Sequence, residues 1–154
     1  MLNALATYSN LVSRGISLPS SLCPFCNTEV EDLLHLFVKC KFVVPLWKNI
    51  LSWWNSSDPI PVDLNNAFGS TCYQMGSSNA CKAFYASRLI LLWLVWKWRN
   101  KLVHSPSDKR QSILNEDVLV DLKILSFLWL KNRSKLVLGE FEDWRCNPLS
   151  IEKH

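Results

Sequence analysis

Charge is scarce in this chain of 154 residues, with 19% of side chains charged against 49% hydrophobic. So little charge beside so much apolar material, 8 Trp included, excludes wholesale disorder and predicts a chain that folds or docks onto something. Long apolar runs are missing as well. The longest, residues 89–96, lies between Arg88 and Lys97 and falls far short of the roughly 20 residues that cross a bilayer, so no membrane span is expected. The first ten residues have neither a basic start nor a sustained apolar run, and no export signal is expected either. Strand-type alternation and repeats of fixed period are also lacking, which leaves a mostly α fold with no substantial sheet. The length fits one domain, or a small module with helical appendages, and not a large enzyme.

What the chain does have is cysteine, 6 in all, which allows a disulfide framework, a metal site or a set of buried thiols. Without an export signal the expected compartment is reducing and intracellular, nuclear or cytoplasmic, and there closely spaced cysteines more often bind metal than cross-link. Spacing then becomes the question.

Along the chain, residues 1–22 form a lead-in segment with a short helix and a loop at Gly15 and Pro19. Residues 23–54 form a compact module. Cys23-Pro-Phe-Cys26 opens a tight turn, and Thr28 and Glu31 at capping-box spacing predict a helix over about 29–39. A second helical stretch covers 41–54, with Leu46, Trp47, Ile50, Leu51 and Trp54 on one stripe. Residues 55–80, rich in Ser, Asn, Pro and Gly, read as a connector with at most a short helix near 64–68. The region 81–137 is helical, with one helix over about 81–104 ended by Ser105-Pro106 and another over about 113–133. Residues 138–154 read as an extended tail.

The most specific pattern is Cys23-x2-Cys26-x8-His35-x4-Cys40, four good zinc ligands in an order suited to a tetrahedral site. The two-residue gap lets one turn aim both sulfurs at a single ion, and Pro24 stiffens that turn. On a continuous α-helix His35 and Cys40 would diverge by about 140°, so a break is predicted at 39–41. Three thiolates and a neutral imidazole around Zn²⁺ carry a formal charge of about −1, which Lys39 and Lys41 stand to offset. Glu31, one turn before His35, is a candidate to accept the second imidazole N–H. Two other readings exist. Buried thiols with a core histidine would not require the full four-ligand spacing, and a Cys–His nucleophile lacks an orienting third residue.

The motif also resembles a family. Cys23-Pro-Phe-Cys26, the segment Asp32-Leu-Leu-His35-Leu-Phe-Val-Lys-Cys40 and Pro45-Leu-Trp47 are similar to the reverse-transcriptase zinc-binding domain of LINE-type (non-LTR) retrotransposon proteins, especially those of plants. Asn10-Leu-Val-Ser-Arg-Gly-Ile16 resembles the segment before that motif, Trp93-Leu-Val-Trp96-Lys-Trp-Arg99-Asn100 a tryptophan pattern after it, and Asp143-Trp-Arg-Cys-Asn-Pro148 the ends of such proteins. The resemblance implies a structural zinc module, associated with RNA or DNA and with the remainder of the reverse transcriptase. It implies no enzyme activity of its own. The chain has no adjacent Asp-Asp pair for polymerase metals and no clear RNase H carboxylate set, as expected of a C-terminal piece of such a protein or a degenerate copy.

Net charge is +4, but residues 82–110 concentrate the excess, carrying Lys82, Arg88, Lys97, Arg99, Lys101, Lys109 and Arg110 against Asp108 alone. Lys39, Lys41, Lys97, Arg99 and Lys101 are the candidate nucleic-acid contacts, the last three interleaved with tryptophans that can stack on bases. A core helix with snorkelling cations explains the same residues. Cys72, Cys81 and Cys146 have no fitting partners and remain unassigned. The competing function is a zinc-stabilised docking module that packs on the polymerase core without touching nucleic acid. A secreted protein with three disulfides is the third.

Overall fold

The computed structural model describes residues 4–69, 75, 77–134 and 138–153. Cys72 and part of the 55–80 connector lie outside the described residues. The chain is mostly helical, and the described residues contain no strand, only an isolated antiparallel bridge between Leu22 and Val30. No helix among them is long and apolar enough to cross a membrane.

Helix α1 (Tyr8–Ser13) starts where the Thr7 hydroxyl accepts from Asn10 N–H. A single wide π-type turn (His35–Lys39) follows the bridge. Helix α2 (Val44–Trp53), with Pro45 in its first turn, buries Leu46, Trp47, Ile50 and Leu51, the stripe expected from periodicity. The short α3 (Leu64–Phe68), capped by Asp63, sits inside the connector and sets Phe68 edge-on against Phe37 at 5.7 Å.

Helix α4 (Ser78–His104) is the spine of the molecule. It begins earlier than the expected residue 81, because the Ser77 hydroxyl caps it by accepting from Ala80 N–H, and it stops at Ser105-Pro106 as expected. The expected helix over 113–133 is two helices, α5 (Arg110–Leu114) and α6 (Val118–Arg133). The Asp117 carboxylate is the reason, since it takes the N–H groups of Leu119 and Val120 and so starts a fresh helix.

The tail is the larger correction. It is not extended: α7 (Phe141–Cys146) folds back and buries Trp144 edge-on against Trp53 and Trp54, at 5.4 and 5.5 Å. Its indole N–H donates to the Lys123 carbonyl and the Ser126 hydroxyl of α6. Burying an indole removes a large apolar area from water, and this offsets the entropy of ordering a polar segment. One continuous core results, running from Cys23, Phe25 and Phe37 through Trp47 and Trp54 to Leu122 and Trp144.

Candidate metal centre

Residues 21–31 form a closed turn. Cys23 N–H donates to Glu29 O at 2.7 Å, Glu31 N–H to Ser21 O at 2.9 Å and Asn27 N–H to Cys23 O at 2.9 Å. Asn27 takes a left-handed φ of 53°, a conformation asparagine tolerates better than most residues. Because Thr28 to Glu31 are spent on this turn and its bridge, the expected capping box does not form and no helix begins at 29. The cap is Asp32, whose carboxylate accepts from His35 N–H at 2.7 Å, so helical winding begins just after it.

The chain then solves the angular problem of His35 and Cys40 by widening. Cys40 N–H donates to the His35 carbonyl at 2.8 Å, an i→i+5 bond that sets position 40 nearly above position 35, and Cys40 leaves the turn in extended geometry. The break lies where expected, but a wide turn, not an unwound one, aligns the ligands. Trp47 Nε1 donates to the Phe37 carbonyl at 2.8 Å and fastens α2 to this turn.

Four ligand atoms converge as a result. Cys23 Sγ lies 3.9 Å from Cys40 Sγ, Cys26 Sγ lies 3.4 Å from His35 Nε2, and all four fall within 4.8 Å of one another. A tetrahedral ion with Zn–S of about 2.3 Å and Zn–N of about 2.0 Å requires about 3.8 Å between sulfurs and about 3.5 Å from sulfur to nitrogen. The donor set therefore fits zinc. It does not fit a disulfide, which needs sulfurs about 2.05 Å apart, and Cys23, Cys26 and Cys40 are free thiols. Cys23 and Cys40 are wholly buried and Cys26 is 8% exposed, so an ion held here has little contact with water.

Residues 1–47 match the family model for zinc-binding in reverse transcriptase. That span contains all four ligands and ends inside α2, and the family is a zinc-binding one, not a catalytic one. No curated protein and no solved structure matches the chain. Zinc is the cofactor that the cluster and the family share, and four protein ligands leave no open coordination position for catalysis.

Without metal, the thiols are tuned against one another. Cys23 is lowered to about 6, chiefly by the hydrogen bond from the Cys40 thiol and despite its burial. The same contact, followed by burial, pushes Cys40 up. Burial opposes the Cys26 thiolate too, but hydrogen bonds from Thr28 and from Glu29 N–H outweigh it and lower the thiol. Near pH 7, then, Cys40 holds a proton that zinc must displace. Protons and zinc compete for the same sulfur, so apparent affinity falls as pH falls. Titration calorimetry in buffers of different ionisation enthalpy is expected to show release of about one proton or more per zinc at about pH 7.5, and a heat independent of buffer contradicts this.

Two sequence expectations change. Glu31 does not serve His35. Its carboxylate turns inward and binds Arg99 of α4 with two hydrogen bonds of 2.6 and 2.7 Å, while also accepting from Tyr8 N–H at 2.7 Å. Arg99 is consequently only 3% exposed, its guanidinium packed beside Tyr8 and Trp96, and it faces the protein instead of a phosphate. Sequence reasoning had no signal for this pair, whose members are 68 positions apart. Arg110, counted in the sequence only as part of the basic excess, donates to the Phe25 carbonyl inside the cysteine turn at 3.1 Å.

The remaining candidate cations are exposed. Lys39 and Lys41 flank Cys40, with Lys41 above the Phe42 ring. Lys97 lies over Trp93 and Lys101 pairs with Glu116 in a shallow groove between α4 and the start of α6, so these two share their surface with carboxylates.

Proposed function

We propose that this chain is the structural zinc module of a reverse transcriptase of the LINE-type (non-LTR), plant class, without a polymerase active site, which helps to hold RNA or DNA beside the rest of that enzyme in the nucleus or cytoplasm. In this reading residues 23–54 are the zinc-binding module and 81–137 the helical region, of which 135–137 lie outside the described residues. The observation that carries the nucleic-acid part is local: the only two side chains next to ligand Cys40 in sequence are Lys39 and Lys41, both exposed. Zinc held by Cys40 would fix the backbone between them, and both side chains are at the surface.

Phosphate contacts release counterions, so affinity falls with salt, the logarithmic slope being about 0.7–0.9 per neutralised phosphate. Replacing both lysines, as K39E/K41E, is expected to weaken oligonucleotide binding several-fold and to flatten that slope by about 1 or more while zinc content stays unchanged. Binding and slope equal to the parent chain would overturn the assignment of these lysines.

A further inference from the structure

Of the 8 tryptophans, Trp47, Trp54 and Trp144 are fully buried and Trp98 nearly so. Trp53 and Trp96 are half-buried and packed against other aromatic rings. Trp93 of α4 and Trp129 of α6 differ, being 50% and 48% exposed, and both line the same cleft. This cleft of about 580 Å³ lies between the N-terminal half of α4 and the C-terminal end of α6. Its volume falls within the roughly 300–1,000 Å³ range of sites that enclose compact ligands. Tyr85 adds a third ring to its wall, and Lys82 and Arg133 supply its charge. No carboxylate lines it among the described residues, and α4 carries no Asp or Glu over its whole length.

Flat apolar rings beside positive charge, with no negative charge in the wall, complement a ligand that is itself flat, apolar on its faces and anionic along its edge. A nucleic-acid strand with unpaired bases has that chemistry. In a duplex the base faces are stacked on one another, so the rings would have nothing to receive. We infer that the α4–α6 cleft binds single-stranded nucleic acid, with bases stacking on Trp93 and Trp129 and phosphates meeting Lys82 and Arg133. The inference rests on the nucleic-acid reading above but places a second contact surface outside the residues that match the zinc-binding family.

The test uses the whole zinc-loaded chain and fluorescein-labelled oligo(U) and oligo(dT), with anisotropy followed over a range of salt. Each of W93L and W129L keeps an apolar side chain at a half-exposed position, so zinc content and melting are expected to hold, while affinity falls roughly 5- to 150-fold. K82A/R133A is expected to flatten the logarithmic salt slope by about 0.7 per residue. Parent-like binding by the tryptophan variants and by K82A/R133A overturns the inference. If K39E/K41E abolishes binding while W93L and W129L bind normally, the zinc-module reading stands and the cleft does not. No binding by the parent chain removes both, and loss of self-association in W93L and W129L with unchanged oligonucleotide binding makes the cleft a protein interface instead.

Discussion

Cys40→Ser is expected to abolish stoichiometric zinc binding and to unfold at least the first third of the chain. Cys40 is wholly buried beside Cys23, and the turn that carries it holds Leu36, Phe37 and Val38 in the core. A structural zinc site contributes an apparent binding free energy of about 10–16 kcal/mol at neutral pH, as large as the entire stability of an ordinary domain. Weakening one of four ligands therefore removes a term that no other contact replaces. The damage spreads, because Phe25, sitting between Cys23 and Cys26, packs on Trp98 of α4 at a ring separation of 4.5 Å. Metal analysis and thermal melting with and without chelator measure the effect. Cys146→Ser, at an exposed position away from the cluster, serves as the control and should melt like the parent. A Cys40→Ser chain that retains one zinc and the parent melting temperature would mean that the site is not structural.

Glu31→Leu is expected to be the most damaging change that leaves all four zinc ligands in place. The Glu31–Arg99 pair has almost no solvent contact, with side-chain exposures of 0% and 4%. Removing one member of such a pair leaves an uncompensated buried charge and costs about 3–5 kcal/mol. It also strips Tyr8 N–H of its acceptor at the start of α1. For a chain of this size the loss corresponds to a fall in melting temperature of roughly 6–20 °C. The double variant Glu31→Leu with Arg99→Met is expected to recover most of it, since apolar residues of similar volume commonly replace a buried pair at little cost. Failure of the second substitution to restore stability would show that the single loss came from packing and not from the stranded guanidinium.

The same pair explains why a charge count misreads α4. Its cations divide into Lys82, Lys97 and Lys101, which stay in water, and Arg88 and Arg99, which turn inward. Arg88 donates to the carbonyls of Asn66 and Ala67, and Arg99 meets Glu31. Composition places all of these on one basic helix, while only the three-dimensional partner distinguishes a phosphate contact from an internal brace. The capping residues show a related limit. Thr28 and Glu31 have the spacing of a capping box, yet Asp32, next in line, takes the role because the bridge at Val30 has already committed the residues before it.

The zinc ligands were legible for the opposite reason. Metal coordination is short-ranged and demands particular side chains, so Cys23, Cys26, His35 and Cys40 had to appear close in sequence with turn-compatible gaps, and they converge as read. The helical class followed in the same way from apolar periodicity, which is a property of neighbouring residues. What the local pattern could not convey was the pairing of distant elements: Trp144 closing the core from the far end of the chain, Glu31 reaching Arg99, and α4 and α6 packing so that Trp93 and Trp129 line one cleft. Those contacts depend on how whole helices pack to remove apolar surface from water, and that balance is settled over the entire chain at once. The scarcity of charge has the same origin. With so few charged side chains, a carboxylate and a guanidinium buried together carry more consequence for this fold than any of the lysines left at its surface.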